Sequence, residues 1–216
     1  MSKQLFTVGH SNLNIEEFID LLREYRVNAI ADVRSHPYSG YLPHFNRDLL
    51  KFELLKAKIK YVFLGEELGA RPKDLSCYIN GKALYTKIAD SVSFKVGIQR
   101  ILTGLDKYSI ALMCSEKEPL SCHRTILICK HLRQFEIKID HIIDRHNLES
   151  HSQLEDRLLD LYGFDLENNR LKVPEVLQFN LFDSAQSVAK PALISQEECL
   201  ERAYRDRAEK IAYQNE

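Results

Sequence analysis

Ser109–Leu132 reads SIALMCSEKEPLSCHRTILICKHL. An apolar run stops at Cys114, a polar loop carrying Glu116 and Pro119 follows, and Cys122-His123-Arg124 open a second apolar run. A buried strand ending in a cysteine, then a helix starting Cys-His-Arg, is how an α/β protein places reactive groups at the end of a strand. The rest of the chain can be read outward from this unit.

Upstream, Leu5–Val8 reads as a buried strand closed by Gly9-His10-Ser11. Asn14 is placed to cap a helix from Ile15 to about Tyr25, with Glu17 in capping-box position. Asn28–Val33 and Ile59–Leu64 read as strands, Tyr38–Asn46 as a loop over the site, and Arg47–Lys58 as an amphipathic helix. Lys73–Gly81 lacks a period and reads as irregular, whereas Tyr85–Leu105 reads as mostly helical. The quoted unit supplies a strand over Ser109–Met113 and a helix over Cys122–Phe135, and Ile137–Ile143 closes the series. Repeated strand–helix alternation predicts an α/β fold with a doubly wound, mainly parallel sheet in three Rossmann-like layers. Residues 1–145 form the predicted core. Residues 146–216 form a C-terminal helical extension packing on it, with a helix near Leu154–Leu161 and a final one over Glu197–Tyr213.

Composition bounds the function without naming it. The chain has 216 residues, 44% hydrophobic and 28% charged, with a formal net charge of -1. These are values of a globular domain, not of a disordered chain, and the charge gives no global pull toward nucleic acid. No apolar run is long enough to span a bilayer. MSKQ leads directly into LFTVGHS without a secretory pattern, so a cytoplasmic protein without membrane contact is expected. Five unevenly spaced cysteines fit reduced thiols better than a disulfide framework.

Each predicted strand ends in polar residues: His10 and Ser11, then Asp32 and Arg34, then Glu66, Glu67 and Arg71, then Cys114 and Glu116. In a parallel sheet these ends share one rim. Cys122 at a first helical turn, beside His123 and Arg124, would be favoured as a thiolate; the alternative is a buried structural cysteine like Cys129. Cys114 at a strand end suggests a phosphatase-like nucleophile, but its loop is long, acidic and free of glycine, unlike a backbone phosphate cradle. Cys114, Cys122, His123 and His10 are zinc-type ligands. Yet no paired spacing supports a metal, and neighbouring Cys122 and His123 on one helix would point apart. Arg34, Arg71 and Arg124 could bind phosphate or carboxylate, or instead pair with Glu66, Glu67 and Glu116.

Gly9-His10-Ser11, Asp32-Val33-Arg34, Phe45-Asn46, Leu68-Gly69-x-Arg71 and Cys114-x-Glu116-x-x-Pro119-x-x-Cys122-His123-Arg124 together resemble the family known as domain of unknown function 488, over roughly Leu5 to Asp144. Ala70 stands where a second glycine is expected. The resemblance implies an intracellular, mainly prokaryotic α/β protein, and no reaction or cofactor. Gln178-Phe179-Asn180-Leu181-Phe182 is similar to peptides that dock DNA-processing proteins on bacterial sliding clamps, Gln178 meeting a polar rim and Leu181 and Phe182 an apolar pocket. Two main expectations follow. One is a cysteine-dependent hydrolase or transferase acting on a phosphate-bearing nucleotide or nucleic acid, with Cys122, Cys114, His123, His10 and Glu116 catalytic. Arg34, Arg71, Arg124 and Ser11 would bind the anion, and Asp32, Glu66, Glu67 and Asn46 would support them. The other is a non-catalytic nucleotide- or DNA-associated module docking through Gln178–Phe182. A third keeps the pocket and places a metal on Cys114, Cys122 and His123.

Overall fold

In the computed structural model, which describes residues 3–165, 170–171 and 195–215, one sheet is built from six strands. They are β1 (Lys3–Gly9), β2 (Ala29–Asp32), β3 (Lys60–Phe63), β4 (Ile110–Cys114), β5 (Ile137–Ile142) and β6 (Leu148–Ser150). Their spatial order is β3-β2-β4-β1-β5-β6, parallel throughout except that β6 runs antiparallel to β5. The expected three-layer α/β fold is what forms.

Alternation along β4 divides the core. Ala111 and Met113 face one side, with Phe6, Val8 and Ile30, and meet Phe18 and Leu22 of α1 (Ile15–Glu24) and Leu50 and Leu54 of α2 (Arg47–Lys56). Ile110, Leu112 and Cys114 face the other side, with Leu5, Ala29 and Ala31. A strand buried on both faces needs apolar residues at every position, which IALMC supplies. Each fully buried Leu, Ile or Phe contributes about 1.5–3 kcal/mol. The predicted capping box of α1 is present: Glu17 N donates to Asn14 Oδ1 at 2.8 Å, and Asn14 N donates to Glu17 Oε2 at 3.0 Å.

The connections differ from expectation in physically legible ways. After α3 (Gly65–Leu68), Lys73–Gly81 is not irregular throughout but contains a 3₁₀ turn, Leu75–Cys77, and leads into a hairpin of Tyr78–Ile79 with Lys82–Ala83. The long helix expected over Tyr85–Leu105 is two helices, α4 (Tyr85–Asp90) and α5 (Val92–Gly104). Ser91 divides them: its Oγ donates to Ile88 O and accepts from Phe94 N, a local bond that competes with helix continuation. β6 was not foreseen, because its residues Leu148–Ser150 show no apolar period.

The helix expected from Cys122 starts later. Cys122 is extended (φ -131, ψ 139), Arg124–Cys129 is π-helical, and α6 (Lys130–Leu132) is a single α turn. Downstream, α7 (His151–Leu161) and α8 (Gln196–Ile211) each begin with a capping box, at Ser150 and Ser195. Cys199, Leu200, Ala203 and Tyr204 of α8 join the core cluster of β4 and the π-helix. Gln178, Leu181 and Phe182 lie outside the described residues. Among the described residues no helix is long and apolar enough to cross a membrane.

Candidate active site

β4 lies between β1 and β2, so three strands deliver their C-terminal ends side by side: Gly9 pairs with Cys114 and Asp32 with Met113. β1 and β2 are separated by a strand formed much later in the chain, which opens a crevice at these ends. The loop after β4 folds across the end of β1. His10 N donates to Cys114 O at 3.0 Å and Ser11 N to Ser115 O at 2.9 Å. Position 9 must be glycine here, since a Cβ would sit 1.9 Å from Glu116 O. Ser11 takes up the sharp turn with φ +48, a region few non-glycine residues occupy.

Cys122 acts as the helix N-cap instead of its first residue. Its carbonyl accepts from Thr125 N and Ile126 N, both at 3.1 Å, and Arg124 N donates to its Sγ at 3.4 Å. The sulfur thus takes the place of a capping oxygen, where helix N–H groups favour negative charge. Because Cys122 is extended, its side chain turns back toward His123 and does not diverge from it, contrary to the sequence expectation. His123 Nε2 is anchored by donating to Val33 O at 3.0 Å. Its Nδ1 therefore faces two sulfurs, Cys114 Sγ at 3.8 Å and Cys122 Sγ at 3.9 Å.

Charge is divided unequally between the thiols. Burial opposes ionisation of Cys122, but the Cys114 thiol, the Arg124 guanidinium and His123 outweigh it and hold Cys122 well below its usual value. Hydrogen bonding to Cys122, burial and the charge on Cys122 push Cys114 well above it. Burial first, with the charges of Cys122 and Glu155, outweighs the pull of Arg124 and raises Cys129 into an inert thiol. For His123, burial is again overcome by the Cys122 hydrogen bond and charge, so its value rises.

These groups form the buried end of a cavity of about 360 Å³, a size that suits a small molecule. Glu116, Ser35, His36 and Tyr38 line its walls, and Arg71 lies there with its guanidinium 4.2 Å over the Tyr213 ring. Desolvation and then the neighbouring Cys122 raise the Glu116 carboxyl. Two larger clefts, of about 470 and 540 Å³, hold no thiol.

The other expected site residues are placed as follows. Arg34 lines the cavity but is engaged inward, Nε and Nη2 gripping both oxygens of Asp32 at 2.9 and 2.7 Å and Nη2 also donating to Phe45 O. Its partner is Asp32, not Glu66 or Glu67. Arg124, fully buried, donates from Nη1 to Glu116 O at 2.6 Å and from Nη2 to Lys117 O at 3.1 Å. It is a clamp on the loop backbone. His10 stacks on Phe45, donates from Nδ1 to Ser11 O and accepts Arg34 Nη1 at Nε2. Burial, then Arg34, lowers it to about 4, so both ring nitrogens are occupied and the ring is neutral. Ser11 faces a separate small cavity beside Asn12. Glu66 and Glu67 pair outward with Lys73 and Arg100. Asn46 Oδ1 accepts from Ser39 N and so holds the loop before α2.

The family described as Domain of unknown function DUF488 matches residues 14–130. The chain belongs to that family. Comparison with curated proteins and with solved structures gave no match. In this DUF488 chain the match takes in Asp32–Arg34, Phe45–Asn46, Leu68–Arg71 and the whole Cys114–Arg124 unit. Sequence reasoning missed several cavity residues of the DUF488 protein. Tyr85 opens α4 beside both thiols, and burial raises its hydroxyl. Tyr213 arrives from the C-terminus because Ala83 N donates to Tyr213 O. No local signal marks either residue, since only tertiary pairing brings them to the rim.

Proposed function

We propose that this DUF488 protein is an enzyme, a hydrolase or group transferase acting on a small phosphate-bearing molecule of nucleotide or sugar-phosphate size. The observation that carries the reading is the meeting of two thiols and an imidazole at the buried end of a polar cavity. Structural cysteines seldom gather an imidazole, a carboxylate and an N-cap around one opening. Asp32 cancels the charge of Arg34, and the Cys122 sulfur answers that of Arg124. Arg71 is left to meet the substrate's anion, and one guanidinium suits a monoester better than a polyphosphate. Glu116 moves the proton, and the Cys114–Cys122–His123 cluster is the reacting centre.

Turnover of a panel of nucleotides and sugar phosphates tests this. Arg71→Ala is expected to raise KM about tenfold, the loss of one charged hydrogen bond, and Cys122→Ser to abolish kcat. Absence of turnover across the panel, with no binding of inorganic phosphate, contradicts the proposal.

A further inference from the structure

We infer that Cys114, Cys122 and His123 together bind a divalent transition metal of the zinc type, with the cavity side of the ion left open to water or substrate. The inference names the reacting centre of the function proposed above. It rests on that reading only for what the ion does, not for whether it binds.

Geometry is the first support. Cys114 Sγ, Cys122 Sγ and His123 Nδ1 all lie within 4.8 Å of one another and belong to buried residues. In tetrahedral zinc, Zn–S of about 2.3 Å and Zn–N of about 2.05 Å place sulfur and nitrogen about 3.6 Å apart. The two S···N separations here are 3.8 and 3.9 Å, each within a few tenths of an ångström of that value. The near equality matters. A thiolate–imidazolium pair would draw Nδ1 toward one sulfur, whereas an ion between the three atoms requires both sulfurs at similar range.

The second support lies in the atoms behind the ligands. A metal-bound histidine usually donates its other N–H to a carbonyl or carboxylate, which fixes the ring. His123 Nε2 does so to Val33 O at 3.0 Å. Ligand sulfur is commonly steadied by a backbone N–H, and Arg124 N reaches Cys122 Sγ at 3.4 Å. Two thiolates and one imidazole favour zinc over hard cations, and three protein ligands with an open fourth position are the pattern of a catalytic ion. The open side faces the cavity that Glu116 and Arg71 line. A metal-bound water there would stand beside a carboxylate able to accept its proton, which is hydrolytic equipment.

The test is a Co²⁺ titration of chelator-stripped, full-length protein, with folding followed by circular dichroism. A sulfur-to-cobalt charge-transfer band should saturate at one equivalent and vanish when Zn²⁺ is added. Cys122→Ser should weaken binding more than about a hundredfold, beyond the ~10–100-fold of outer-shell changes. It should still fold, because serine is a favoured N-cap. Cys199→Ser should bind as wild type does. A folded wild type without saturable Co²⁺ binding, or unchanged binding by Cys122→Ser, overturns the inference. Turnover of a phosphate compound by protein that binds no Co²⁺ removes the metal and leaves the proposed enzyme standing. Tight metal binding without turnover or phosphate binding does the reverse.

Discussion

His141 and His123 are both buried, and their surroundings are completed in opposite ways. Around His141 a chain of hydrogen bonds runs from Arg124 to Glu155. Arg124 Nε lies 3.4 Å from Thr7 Oγ1, which is 2.8 Å from His141 Nδ1. His141 Nε2 is 3.0 Å from His151 Nδ1, and His151 Nε2 is 3.1 Å from Tyr204 Oη, which donates to Glu155 at 3.0 Å. Arginine can only donate and an ionised carboxylate only accept, so every proton between them is assigned. Both imidazoles are neutral, burial lowering His141 well below its usual value and His151 to about 4. Around His123 one nitrogen is satisfied by Val33 O and the other is shared between two sulfurs at 3.8 and 3.9 Å, the long end of hydrogen bonding to sulfur. A closed chain ties α7 and α8 to the sheet. The cluster around His123 instead opens on a cavity, where the proposed ion would sit. Arg124 belongs to both, bracing the site loop with one end of the structural chain.

The contrast predicts different responses. The largest is to acid. His10 and His151 stand at about 4 in the fold against an ordinary 6.5. Between those values the unfolded chain binds protons that the folded chain refuses, so stability falls as pH drops from 6.5 toward 4. His151 alone accounts for about 3 kcal/mol. Urea unfolding at a series of pH values should show this loss, and a flat profile would remove the neutral-histidine account. Next, His141→Ala strands Thr7 and His151 and leaves a void. It should cost about 3 kcal/mol, seen as a lower urea midpoint, while Co²⁺ affinity is unchanged. Tyr204→Phe removes the hydroxyl that bonds both His151 and Glu155 and should cost about 1–2 kcal/mol. Smallest is Cys122→Ser in metal-free protein, expected to change stability by less than about 0.5 kcal/mol because the cap survives. A large loss there would move Cys122 from the open site to the structural one.

Much of the fold was legible because apolar runs and caps are local. Leu5–Val8, Asn14 with Glu17, and Ile110–Met113 each carry their own signal. The rim was legible for the same reason, since strand ends can be read off the runs that precede them. Partner choice was not. Nothing in Arg34 or Arg124 tells that one grips Asp32 and the other grips backbone carbonyls. The divergence expected of Cys122 and His123 followed from giving both helical dihedrals, and an extended Cys122 reverses it. The histidine chain joins β1, β5, α7 and α8, so no single segment announces it.

X-ray absorption at the zinc edge of zinc-loaded protein examines the open cluster most directly. Two sulfurs at about 2.3 Å and one imidazole nitrogen at about 2.0–2.1 Å, with one further light atom, are the predicted shell. A shell of nitrogen and oxygen alone, or with a single sulfur, would contradict it.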